Sequence, residues 1–200
     1  MNSRSSPKFQ DHPKPRRSHI WPRALHNHYL EERWNDDRLF DVEQFDHHRL
    51  LTDPCCGIGY VVDAAKAHGY RVEACDLVDR GYPKTKVEDF LKRERPLAQA
   101  AFNPPFDKIE AFAPHALALG ASKIALICPV AYLNATHWLK ELPFRRALLM
   151  TPRPSMLPAY LVLRGQKPKD GRPDYAWLIF EAGYSGKAEI DWLHRDGERL

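Results

Sequence analysis

A glycine turn between a strand and a helix constrains this chain more than any other feature. Residues 49–52 read as a buried strand that runs into Asp53-Pro54-Cys55-Cys56-Gly57-Ile58-Gly59. A helical stretch from Tyr60 to His68 follows, with Val61, Val62 and Ala65 on its inner face and Gly69 as its stop. Gly57 and Gly59 let the backbone approach a ligand without Cβ clashes, as at the first β-α turn of a doubly wound sheet.

The same alternation continues downstream. Residues 71–75 read as a second strand ending at Asp76, 86–93 as a short helix, and 98–102 as a third strand. Asp107 is placed to cap a helix running to Leu119, which Gly120 ends. Lys123 to Cys128 is the clearest strand, and Asn134 is placed to cap a short helix through Leu139. Beyond Pro143 the pattern becomes strand (145–150), Pro-rich loop (151–173) and strand (175–180), with no helix between. That signals an antiparallel addition to a parallel sheet. Upstream, 23–45 reads as helical, with Leu25, Tyr29, Leu30 and Trp34 near helical spacing, and residues 1–22 read as a basic disordered arm. The expectation is one domain over 23–200.

Two hundred residues suit one domain with a full core, and 44% hydrophobic with 28% charged residues is ordinary globular composition. The longest apolar run, Ile124 to Cys128, is strand-sized, and the basic N-terminus lacks the apolar segment of a secretory signal. Cytoplasm is therefore the default expectation. Cys55, Cys56, Cys75 and Cys128 form no C-x-x-C pair, which argues against a zinc site or a disulfide framework. His12, His19, His26, His28, His47 and His48 crowd the first quarter without a third ligand at a fixed offset. They read as solvated imidazoles, and no metal is expected.

The net charge of +4 is unevenly spread. Arg4, Lys8, Lys14, Arg16, Arg17 and Arg23 face one acid, Asp11, in the first 25 residues. Arg145, Arg146, Arg153, Arg164, Lys167, Lys169 and Arg172 face one acid, Asp170, in 145–172. Both clusters suit a polyanion. Arg153, Arg164, Lys167 and Lys169 make the 151–173 loop a candidate nucleic-acid contact.

The second motif is Asn103-Pro104-Pro105-Phe106, at the end of the third strand. An exocyclic amino nitrogen on a ring is a poor nucleophile because its lone pair is delocalised. An Asn oxygen and a backbone carbonyl, stiffened by two prolines, can accept both of its N–H bonds and favour a pyramidal nitrogen. An aromatic neighbour can hold a flipped base by stacking. Asp76 stands where a doubly wound fold places a ribose-binding carboxylate. Asp89-Phe90, one unit later, can bind an adenine amino group and cover its ring.

With both motifs in this order, the chain resembles the class I S-adenosylmethionine-dependent methyltransferases that act on amino groups. Within them it is most similar to adenine-N6 DNA methyltransferases, especially small stand-alone members of phages and prophages. The resemblance spans roughly residues 49–184 and includes Thr151-Pro152-Arg153-Pro154-Ser155-Met156-Leu157 and residues 174–180. It implies a Rossmann-like α/β fold: a mostly parallel seven-stranded sheet with an antiparallel final strand and helices on both faces. It implies S-adenosyl-L-methionine as cofactor, held by Asp53, Pro54, Cys55, Gly57, Gly59, Asp76, Asp89 and Phe90. Catalytic roles fall on Asn103, Pro104, Pro105 and Phe106. Cys55 stands at the family's first turn glycine, and Tyr29 or Phe40 are the candidates for its upstream aromatic. Outside the arm and the 151–173 loop, no segment is left for target recognition. The expected reaction is methyl transfer to adenine N6 in DNA with low sequence specificity. The same chemistry on an RNA base or a protein glutamine, and a non-catalytic cofactor-binding subunit, are the alternatives. The expected partner is nucleic acid, DNA before RNA, with a target-recognition subunit left open and no membrane.

Overall fold

The computed structural model describes residues 28–135, 137–167 and 173–197. The arm at 1–22, His12, His19, His26, Lys169 and Arg172 lie outside the described residues.

Eight strands form one sheet: β2 (Leu51–Asp53), β3 (Val72–Asp76), β4 (Lys86–Val87), β5 (Gln99–Phe102), β6 (Lys123–Pro129), β7 (Phe144–Thr151), β9 (Tyr175–Glu181) and β10 (Glu189–His194). Their order is β10-β7-β9-β6-β5-β2-β3-β4. The pairs from β4 to β6 are parallel, whereas β9 runs antiparallel to both β6 and β7. The fold is thus the Rossmann-like α/β arrangement expected, with one strand more than the seven foreseen. The antiparallel strand is β9, and the last strand, β10, lies parallel to β7 at the sheet edge.

Both faces of the sheet are covered, which explains the unbroken apolar runs in β6 and β9. On β9, Trp177 and Ile179 pack with Leu39, Phe40, Val61 and Ala65, whereas Leu178 and Phe180 pack with Phe102, Ile109, Phe112 and Leu126. The first face is covered by α1 (Trp34–Val42) and α2 (Tyr60–Ala67), the second by α3 (Ile109–Ala118). The Trp177 indole N–H donates to the Asn35 carbonyl at 3.1 Å and pins the start of α1 to the sheet.

Five local expectations change. Lys86–Arg93 is not a helix: β4 pairs with Cys75 and Asp76, and a 3-10 turn at Phe90–Lys92 follows, started by the Asp89 carboxylate accepting from the Leu91 N–H. Asp107 does not cap α3, because a 3-10 turn at Phe106–Lys108 starts directly after Pro105. Asn134 lies within α4 (Ala131–Ala135) rather than ahead of a helix, since the chain turns immediately after β6. The 151–173 loop contains β8 (Leu157–Pro158) and α5 (Ala159–Leu163). β8 pairs with β1 (Tyr29–Leu30), so the segment before α1 is partly a strand rather than all helix. Among the described residues, no helix is long and apolar enough to cross a membrane.

Candidate functional site

β2 connects onward to β3 on one side and its other neighbour is β5, so the strand order reverses there. Parallel strands diverge at such a point and leave a crevice outside their carboxyl ends. A solvent-open cleft occupies that crevice. Asp53, Pro54, Cys55, Gly57, Asp76, Asp89, Phe90, Asn103 and Pro105 line it, so most residues named from the sequence converge. Gly59, Pro104 and Phe106 do not line it. Phe106 packs on Tyr175, ring centroids 5.7 Å apart, and its carbonyl accepts from the Tyr132 hydroxyl.

The glycine turn is held from beneath. Asp53 accepts from the Cys55 N–H at 3.0 Å, and Asp76 accepts from the Gly57 N–H at 2.9 Å. The other Asp76 oxygen meets the Val78 N–H and the Arg80 guanidinium at 3.1 and 3.2 Å. Gly57 (φ +55°) and Gly59 (φ +93°) are both left-handed. A Cβ on Gly57 would stand 3.3 Å from His28 Nε2, and one on Gly59 would stand 2.0 Å from the Tyr82 ring.

Phe90 is deeply buried against Phe102 and Phe112 and offers the cleft only part of its ring. Asp89 is spent in part on its 3-10 turn and on Lys92 at 3.5 Å. All four cysteines are free thiols. Burial pushes Cys56, Cys75 and Cys128 up to about 12 and Cys55 well above its usual range, which removes thiolate chemistry near neutral pH. Glu73, Cys75 and Glu88 lie within reach of one another, but both carboxylates are engaged by Arg93 and Arg95, and Glu73 also by Lys86. That is an ion-pair network between β3 and the turn after β4.

His28 is a correction to the solvated-imidazole expectation. It sits against Gly57 with a buried, unpartnered Nε2, and burial, helped by Arg80, brings its pKa down to about 4. Tyr29, one of the two upstream aromatics foreseen, lines the cleft, whereas Phe40 lies in the core.

Residues invisible to motif reading complete the site. Asn103 Nδ2 donates to Glu31 Oε2 at 2.6 Å, and Glu31 follows directly on β1. Glu31, Asp36 and Asp53 are all buried. Burial raises the Glu31 pKa and holds Asp36 and Asp53 well above the usual aspartate range, with Glu31 repelling both. Neither Asp36 oxygen meets a donor, and its polar neighbour is the Glu31 carboxyl, so the two share a proton. A neighbouring acid pair, Glu31-Glu32, was the sequence signal available. Glu32 accepts from the Ser155 N–H at 2.7 Å, tying the 151–173 segment to this wall.

Asp36→Asn is expected to stabilise the fold, increasingly so as pH rises. An aspartate whose folded pKa exceeds its unfolded 3.8 binds more protons folded than unfolded, so its contribution is full below that value and is lost as pH climbs. Denaturation curves of the variant should match wild type near that pH and exceed it increasingly above. A constant gap across pH would contradict the shared proton.

The basic cluster is less free than its composition suggests. Arg146 pairs with Glu43 at 2.5 Å, Arg145 with Glu181 at 3.2 Å, and Arg153 with Asp174. Arg164 lies over the Tyr160 ring, and Lys167 is exposed.

No family model matches the sequence, and no curated protein matches it. Solved structures do match. The 23S rRNA methyltransferase ErmE aligns over 76% of this chain and 69% of its own, at 15% identity and TM-score 0.53. An Agrobacterium tumefaciens protein classed as an O-methyltransferase aligns over 81% and 85%, at 14% identity and TM-score 0.55. The type I restriction-modification methyltransferase subunit of Streptococcus thermophilus aligns over 80% of this chain but 45% of its own, at 11% identity and TM-score 0.53. The sheet order, the cleft at the strand reversal and these neighbours agree: the chain has the Rossmann-like methyltransferase fold.

Proposed function

We propose that this chain is an S-adenosylmethionine-dependent N-methyltransferase acting on adenine N6 in DNA with low sequence specificity. One observation carries the reading. Asn103 stands at the cleft with its amide nitrogen committed to Glu31, so its Oδ1 is the atom left to accept from an amino group. A planar amino group held there has its N–H bonds satisfied, and its lone pair can turn toward an electrophilic carbon. Phe106, three residues on, packs on the core residue Tyr175 and stiffens the turn that carries Asn103.

The residues fit the cofactor. Gly57 in the turn and Asp76 at the end of β3 both line the cleft, and Asp76 stands where a doubly wound fold binds a ribose diol. Glu31 and Asp53 give the cleft buried carboxyls without an ion-pairing cation of their own among the described residues, and S-adenosylmethionine carries two positive groups. When bound, it supplies a methyl on a sulfonium sulfur. The chain's residues then position the acceptor, and Asn103 needs no strong base beside it because the amino proton becomes acidic only after transfer.

Binding of this cation is expected to release protons and to tighten as pH rises above the usual aspartate range, because it favours the ionised form of a carboxyl held protonated by burial. Calorimetry in buffers of different ionisation heat reads the release directly. S-adenosylhomocysteine, which lacks the sulfonium charge, should release fewer protons. Equal release for both ligands, or none, would remove the electrostatic fit.

The pairing of Arg145, Arg146 and Arg153 leaves Arg164 and Lys167 as the described remainder of the cationic loop. This supports weak sequence selectivity, or a separate recognition subunit. Asp89 and Phe90 are proposed to bind the adenine end of the cofactor. The deciding experiment incubates the full chain with methyl-labelled cofactor and separated DNA, RNA and protein pools. Label recovered as N6-methyladenine in DNA is the expected result. Label in RNA or on glutamine moves the acceptor, and cofactor binding without label in any pool leaves a non-catalytic subunit.

A further inference from the structure

We propose that Glu31 is a positioning residue that sets the hydrogen-bond polarity of Asn103, and that its protonation switches the site between an acceptor-ready and a reversed state. The inference rests on the methyltransferase reading above for its consequence in turnover, but its physical core does not.

An Asn side chain presents an oxygen on one side and an NH2 on the other, and rotation by half a turn exchanges them. An acceptor amino group needs the oxygen. An ionised Glu31 can only accept, so at 2.6 Å it fixes Nδ2 toward itself and the oxygen away. A protonated Glu31 can donate to Oδ1 instead. Asn103 then turns its NH2 toward the acceptor, where two donors meet and no hydrogen bond forms.

The groups facing Glu31 come from several elements. Asp36 on α1 shares its proton, and the buried Asp53 carboxyl at the end of β2 stands beside it, with Asp76 behind. Arg33, one residue before α1, acts on Asp36 in the opposite sense. Burial raises Glu31 above the usual glutamate value, so the switch lies above that value. Asp36, held protonated more strongly, is the donor that keeps Glu31 an acceptor. The polarity runs from Asp36 through Glu31 to Asn103 and so to the acceptor nitrogen. β1 holds Glu31 in place through its pairing with β8, and the Ala159 N–H donates to the His28 carbonyl at 3.0 Å.

The test has two arms. In the first, the Asn103 side-chain amide is followed by nitrogen-15 NMR across pH, assigned by its loss in Asn103→Ala. Its resonance should shift with a midpoint above the usual glutamate range, and the shift should vanish in Glu31→Gln. A shift that survives Glu31→Gln, or a wild-type resonance that does not move, overturns the proposal regardless of what the protein methylates. In the second, kcat for DNA methylation should show an acid limb with the same midpoint. Glu31→Ala should lower kcat by about tenfold or more, since the amide is then free to turn. Glu31→Gln should recover most of that loss while its acid limb disappears, because a glutamine oxygen still accepts from Nδ2 but does not titrate there. Equal losses in both variants with an unchanged acid limb would show a merely structural role. Label absent from DNA altogether counts against the function proposed above, and the NMR arm still decides the switch.

Discussion

Asn103→Ala is expected to lower methyl transfer by at least about a hundredfold while S-adenosylmethionine affinity stays within a few-fold of wild type. Misplacing a reacting group by about 1 Å already costs about that much in rate, and this change removes the aligning atom entirely. The glycine turn does not depend on Asn103: it is held by Asp53 and Asp76 through the Cys55 and Gly57 N–H groups. The deletion also strips Glu31 of a charge-assisted donor, which leaves a buried carboxylate short of one partner at a cost of about 1–3 kcal/mol. Glu31 responds by taking up a proton, so the variant should lose stability more at alkaline than at acid pH. Single-turnover transfer beside calorimetric titration separates the two effects. Near-normal turnover would show that another group aligns the acceptor, and joint loss of turnover and cofactor binding would show that Asn103 supports the turn after all.

The parts of this arrangement that were legible in the sequence are those coded by neighbouring residues. The run from Ile124 to Cys128 announced a strand buried on both faces, and all five residues are fully buried. Asp53 to Gly59 announced a strand-turn-helix, and Asn103 to Phe106 announced a stiff turn at a strand end. Both turns reach one cleft because parallel strands put their carboxyl ends on one side. What escaped depends on partners far along the chain. Tyr29 and Leu30 look helical by spacing, but Leu30 pairs with Leu157, and both are buried in that register. Lys86 and Val87 were taken into a helix by the residues after them, yet they are held by Cys75 and Asp76 of β3. Glu31 is 72 positions from Asn103. No periodicity marks an acid whose meaning is set by a side chain on another strand. The sheet's eighth strand lies in a tail that reads equally as strand or helix, because Ile190 and Trp192 are exposed and only Leu193 of β10 is buried.

Gly59→Ala should be the most damaging single-methyl addition in the glycine turn, with an expected loss of about 2–5 kcal/mol in unfolding free energy. Two separate terms contribute. A left-handed residue with a Cβ carries a backbone penalty of about 1–2 kcal/mol, and Gly59 sits at φ +93°. The added carbon would also stand 2.0 Å from the Tyr82 ring, a distance no relaxation of the methyl alone can relieve. Tyr82 must therefore swing away, giving up the hydrogen bond from its hydroxyl to Asp63 at 2.7 Å and its contact with Lys66. A double-mutant cycle separates the terms. In a Tyr82→Ala background the steric part is gone, so Gly59→Ala should cost only about 1–2 kcal/mol, the backbone share. Chemical denaturation of the four proteins gives the coupling directly. An equal cost in both backgrounds would show that Tyr82 yields freely and that strain at Gly59 is backbone strain alone. Because Gly59 caps the start of α2, the single variant should also weaken S-adenosylmethionine binding, and Tyr82→Ala should restore part of that affinity along with the stability.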